Sequence, residues 1–195
     1  RSSDLARLVG GKAVALARLR RLGHPVPGGV CVTTNAYEQH VRQSGLREQI
    51  LMALSRKDLQ DMRWEEVWDT ALRIRTAFLQ RPLNGRIRRA LKRVVEPWLA
   101  SGPIVVRSSA PEEDGASLSF AGLHESHVNV TTLADALDKI RLVWASLWSD
   151  AALMYRRELK LSVETSSMAV LVQEIAVGRC SGVAFSRDPD DAARM

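Results

Sequence analysis

The 195 residues are 46% hydrophobic and 26% charged, enough apolar material for one ordinary domain or two small ones and too much for a disordered segment. No run is long enough to cross a bilayer, and the N-terminal RSSDLARLVGGK lacks the apolar core of a signal peptide, so a soluble, cytoplasmic protein with no membrane partner is expected. The formal charge of +6 is unevenly spread, with 19 Lys and Arg against 9 Asp and Glu in residues 1–100 but 9 against 13 in residues 101–195, which points to an anionic partner for the first part.

In chain order, Val14, Ala15, Leu19 and Leu22 recur at helical spacing over 11–22, and GHPVPGG then breaks the pattern. The β-branched VCVTT at 30–34 predicts a short strand, and Asn35 with Glu38 has the spacing of a helix N-cap and its partner. Residues 46–100 are charged and helical in period, with Pro82-Leu83-Asn84-Gly85 as the clearest interruption. In the last helix of this stretch Ile87, Leu91, Val94, Val95 and Trp98 share one face, and Arg86, Arg89 and Arg93 another. Beyond it the character changes: a strand at 103–107, a loop to about Gly122, a strand at 124–130, and a helix opened by Thr132 and Asp135 as a capping box. Helical pattern continues through IRLVWASLW and AALMYRREL, and MAVLVQEIAV and SGVAFS read as a hairpin about Gly178-Arg179-Cys180.

Cys31 and Cys180 form no Cys-x-x-Cys pair and read as small buried hydrophobes, and the four histidines have no metal-ligand spacing. The chain opens on Arg1 rather than a methionine and stops just past the loop-like SRDPDDAAR, so a piece of a longer protein is expected.

Three positions carry chemistry. Gly10 and Gly11 precede a helix with Lys12 in its first turn, where the helix dipole disfavours a cation unless an anion is present and where backbone N–H groups suit phosphate. It is not a P-loop, which would need a glycine at Ala6 and a hydroxyl at Ala13, and taken alone a plain surface lysine is the favoured reading. Arg107 ends an apolar run and enters a loop that offers Ser108, Ser109, Ser117, Ser119 and Gly122, small donors and close-approach positions of the kind that line phosphate sites. Its rival role is a salt bridge to Glu112, Glu113 or Asp114. Gln173 falls by alternation on the face of Ala169, Leu171 and Ile175, so its amide needs partners, either backbone groups of a neighbouring strand or the polar edge of a flat ligand.

The ordered segments GGKAVAL with GHPVPGGVCVTTNAY, VVRSSAPEEDGASLSFAGLHES, and VLVQEIAVGRCSGVAFSRDP resemble the N-terminal nucleotide-binding domain shared by phosphoenolpyruvate synthases, pyruvate phosphate dikinase and rifampicin phosphotransferase. The resemblance spans almost the whole chain. It implies an α/β (α+β) ATP-grasp-like fold, with residues 1–100 as its mostly helical N-terminal part and 101–195 as a strand-rich part, mainly antiparallel with packed helices and incomplete at its C-terminus. It implies a kinase-type phosphotransferase that moves the β-phosphoryl group of ATP to a histidine on a separate domain, which then serves an acceptor domain. Carried over residue by residue, the family's lysine falls on Lys12 and its phosphate-contacting arginine on Arg107, the two catalytic positions. Gly122 and Ser126 fall on its glycine-loop contacts, and Gln173 on the adenine-side strand. ATP with Mg2+ is the implied cofactor set, the metal ligands being expected beyond Met195, and this stretch alone is expected to be inactive.

The sequence departs from the family at Ala110-Pro111-Glu112-Glu113-Asp114-Gly115, where Ala-Thr-Ala-Glu-Asp-Leu-Pro is common, and at Gly122-Leu123-His124, where Gly-Gln-Gln is common, so the subfamily and the acceptor stay open among pyruvate, a rifamycin and another phosphoacceptor. A nucleotide-binding regulatory domain without catalysis is a further alternative. A nucleic-acid-binding module using Arg81, Arg86, Arg88, Arg89, Lys92 and Arg93 ranks below these, since such a face opposite a good core stripe is more often simply solvated.

Overall fold

The structure is a computed structural model that describes residues 2–111, 125–161, 166–180 and 182. In chain order the elements are α1 (Ser2–Arg21), β1 (Gly29–Val32), α2 (Thr34–Gln43), α3 (Leu46–Leu54), α4 (Trp64–Gln80), α5 (Gly85–Ser101), β2 (Ile104–Ser109), β3 (Ser126–Val130), α6 (Leu133–Ser146), α7 (Asp150–Glu158) and β4 (Ala169–Glu174). The expected mix of a helical first half and antiparallel strands with packed helices is what the chain forms.

The local signals that hold are those whose partners lie within one turn. Thr132 accepts from the Asp135 N–H at 3.2 Å and opens α6, and Asn84, within the expected interruption at 82–85, accepts from the Ile87 N–H at 2.8 Å and opens α5. The α5 stripe buries Ile87, Leu91 and Val95, while Arg86, Arg88, Arg89, Lys92 and Arg93 stay exposed. The cap expected at Asn35 is displaced: α2 starts at Thr34 after an N-cap at Thr33, because the Thr34 hydroxyl donates to the Arg7 carbonyl of α1 at 3.0 Å. A tertiary bond, not a local one, sets that boundary.

Two other expectations change. The helix read over 11–22 extends back to Ser2, interrupted at Gly10 (φ 72°, ψ 167°), and its Leu19 and Leu22 are 43% and 64% exposed instead of forming a core face. Cys180 is exposed, not buried, whereas Cys31 is half-buried. The second strand of the hairpin expected after Gly178 lies outside the described residues, apart from Gly182.

The strands form one antiparallel sheet in the order β1-β4-β2-β3, so β1, from the helical first part, pairs with the last strand. Cross-strand partners share a face. Ile104 and Val106 of β2, Val170 and Val172 of β4 and Val32 of β1 enter the core with Phe78 of α4 and Ile140, Val143 and Trp144 of α6. At roughly 25 cal/mol per Å2 of buried apolar area this layer is the main source of stability. Two of its polar groups find partners, Trp148 Nε1 donating to the Tyr37 hydroxyl at 3.0 Å and Arg156, 1% exposed, donating to the Leu147 carbonyl at 2.9 Å, whereas Trp144 Nε1 and His40 Nε2 are buried without a hydrogen-bond partner. The opposite face of the sheet carries Val105, Arg107 and Ser109 of β2, Leu171 and Gln173 of β4, Cys31 of β1 and Ser126 of β3.

Candidate functional site

The second face is organised by the break in α1. A Cβ on Gly10 would run into the carbonyl of Ser109, and the positive φ there is one that side chains resist, so only glycine lets α1 turn this close to the end of β2. Ser109 then fastens both sides of the break: its hydroxyl donates to the Val9 carbonyl at 2.8 Å and accepts from the Ala13 N–H at 3.3 Å. Cys31 Sγ donates to the same Val9 carbonyl at 3.6 Å, and burial pushes this thiol up to about 11, which keeps it protonated and unreactive. The N–H of Ala13, one of those that a helix start offers to an anion, is therefore spent inside the fold.

Lys12 is half-buried, and its ammonium donates to the Ser108 hydroxyl at 3.3 Å. Two adjacent serines at the end of β2 thus hold the Gly10-Gly11-Lys12 corner, and Arg107 is the residue just before them. Arg107 is exposed, opposite Ser126 on one side and Leu171 on the other, and among the described residues it forms no ion pair. Ser126 is exposed beside it. The acids weighed as its rivals, Glu112, Glu113 and Asp114, lie outside the described residues, as does Gly122.

Gln173 sits apart from this pair, level with Gly29 and Val105 near the other end of β4. It is 5% exposed and its amide donates to the Pro27 carbonyl at a long 3.5 Å, a backbone partner of the kind sequence reasoning allowed. The next residue, Glu174, accepts from the Gly28 N–H at 3.0 Å and so anchors the entry to β1. The structure therefore places Arg107 and Ser126 toward one end of the face and Gln173 toward the other, while Lys12 is held at the end of β2 by Ser108, whose side chain alternates with Arg107 to the core face.

Sequence reasoning missed the support behind Ser126. Glu125 pairs with Arg75 of α4 at 3.1 Å, and its second oxygen lies 3.2 Å from His127 Nε2 without hydrogen-bond geometry. Fifty residues separate Arg75 and Glu125, so no spacing rule could have joined them. A groove of about 640 Å3 between α3 and α4, lined by Met52, Met62 and Leu72 among others, shares no residue with the site. Among the described residues no three His, Cys, Asp or Glu side chains gather as a metal site.

Over residues 6–195 the chain matches the family described as pyruvate phosphate dikinase, AMP/ATP-binding domain. It is 38% identical over 196 residues to a phosphoenolpyruvate synthase of Aeropyrum pernix, covering 96% of this chain and 23% of that protein. A rifampicin phosphotransferase of Streptomyces sp is 35% identical over 182 residues, covering 93% of this chain and 21% of the relative. A prodigiosin synthesizing transferase of Serratia marcescens is 33% identical over 181 residues, covering 93% and 18%. The chain thus spans about a fifth of the length of these curated relatives.

Proposed function

Since the chain belongs to the pyruvate phosphate dikinase AMP/ATP-binding domain family, we propose that it holds ATP along the sheet face of Arg107 and Gln173 and, within a longer protein, serves transfer of the β-phosphoryl group to a histidine on a separate domain. One observation carries this reading. Arg107 projects from a paired strand, exposed and opposite Ser126, next to the serines that hold Lys12.

The proposed division of work follows from side-chain chemistry. Arg107 grips phosphate oxygens with a planar pair of donors, and Lys12 adds a point charge from the other side of Ser108. Together they neutralise charge on the group in transit, which is most of what a loose phosphoryl-transfer transition state asks of a protein. Ser126 and Gly122 close the phosphate end, and Gln173 meets the adenine end. Among the described residues no three His, Cys, Asp or Glu side chains gather, and the Mg2+ carboxylates are proposed to lie beyond Met195. The acceptor is proposed to be pyruvate, with a rifamycin as the alternative, in keeping with the names of the relatives.

Arg107→Lys tests this. It keeps the charge and loses the two-point grip, so in the full-length protein ATP-dependent histidine phosphorylation should fall at least about tenfold with the melting temperature nearly unchanged. Normal phosphorylation with a much lower melting temperature would instead make Arg107 a structural partner of its own acidic loop.

A further inference from the structure

We propose that Arg75 and Glu125 are a positioning pair, through which the helical layer sets the place of Ser126 at the start of β3, and so tunes nucleotide affinity. The proposal rests on the nucleotide-site reading above. Among the described residues β3 is the edge strand of the sheet, paired on one side only, and its register with β2 slips between Ile104 and Val106. Val128 is 66% exposed and Asn129 has a positive φ of 58°. A strand of this kind does not fix its own first residue to a few tenths of an ångström by ladder bonds alone.

Glu125, immediately before β3, provides what the ladder does not. Its N–H donates to the Ser146 hydroxyl of α6 at 3.2 Å, and Ser146 is itself anchored to the Val143 carbonyl at 2.8 Å. Its Oε1 lies 3.1 Å from Arg75 Nη2, and the Arg75 Nε is buried without a hydrogen-bond partner, so the guanidinium is held in place chiefly by this carboxylate. His127 lies on the other carboxylate oxygen. Burial holds its imidazole below the usual range against the pull of Glu125, which leaves Arg75 as the main cation on Glu125 at neutral pH. Both members of the pair are about one-third exposed, a setting in which ion pairs add little to global stability. Their effect falls on where the next residue sits, and that residue is Ser126, across from Arg107.

The experiment compares Glu125→Gln, Arg75→Met, the double variant and Arg75→Lys in the full-length protein, reading ATP Kd by calorimetry, KM and kcat, and melting temperature. Glu125→Gln and Arg75→Met should each raise Kd and KM for ATP several-fold, with kcat and melting temperature little changed. The double variant should be no worse than either single one, because both remove the same interaction. Arg75→Lys should recover most of the affinity. An unchanged ATP Kd in Glu125→Gln, while Arg107→Lys impairs phosphorylation, overturns the positioning role and leaves the nucleotide site standing. Unchanged behaviour in both Glu125→Gln and Arg107→Lys overturns both. Loss of affinity in step with a fall in melting temperature overturns the proposal in favour of a structural role.

Discussion

His40 shows at the scale of one residue how the core constrains chemistry. It is 1% exposed, its ring stacks on Trp144 at a centroid distance of 5.3 Å, and its Nε2 is buried without a hydrogen-bond partner. Burial, and then the positive charge of Arg141, pull it down from the ordinary 6.5 to about 4. The unfolded chain therefore takes up a proton between those values that the native state refuses, so stability is complete above about pH 6.5 and is lost as pH falls toward 4. At about 1.4 kcal/mol per pH unit the loss approaches roughly 3 kcal/mol. His40→Leu, of similar volume and without a titrating group, should be close to wild type at pH 7.5 and more stable than it at pH 4.5. Urea unfolding at the two pH values measures this, and an equal difference between the two proteins at both would show that His40 is not the titrating group. Arg107, by contrast, is exposed and forms no ion pair among the described residues.

At the scale of elements, the decisive contact is the corner of α1 on the end of β2. Gly10→Ala adds a methyl group against the Ser109 carbonyl and forces a side chain into a positive φ, which together should cost about 2 to 5 kcal/mol. The corner also carries Lys12, so a variant that still folds should lose ATP affinity through displacement of Lys12 from Ser108. Chemical denaturation reads the first effect and calorimetry the second. A Gly10→Ala protein with wild-type stability would mean that α1 does not lie on Ser109. The polar face of α5 is a different matter: Arg86, Arg88, Arg89, Lys92 and Arg93 lie opposite the Ile87, Leu91 and Val95 stripe, the arrangement of an ordinary solvated helix.

At the scale of the whole molecule, a ligand that binds only the native state raises its stability by about 2.7 kcal/mol at a hundred times its Kd, which for a chain of this size is a melting shift of roughly 5 to 10 °C. In a longer full-length protein the same free energy gives a smaller upward shift with ATP, which Arg107→Lys should shrink further. Single-stranded and duplex nucleic acid should produce none at 50 mM salt. A salt-dependent shift with nucleic acid that is reduced by neutralising Arg89 and Arg93 would revive the basic face of α5 as the binding surface.

Legible in the sequence alone were the helix start at Thr132, the interruption before α5, that helix's stripe at Ile87, Leu91 and Val95, the strand that delivers Arg107, and the family. Each of these is written within a few residues, because a cap closes over three residues and a strand or helix face repeats every two or every 3.6. Long-range packing set the start of α2 at Thr34, the rest of Gly10 on Ser109, the pairing of β1 with β4 in the order β1-β4-β2-β3, and the meeting of Arg75 with Glu125. Those partners are brought together from 27 to about 140 residues apart by burial of a common core, a force that depends on apolar area and carries no code of spacing.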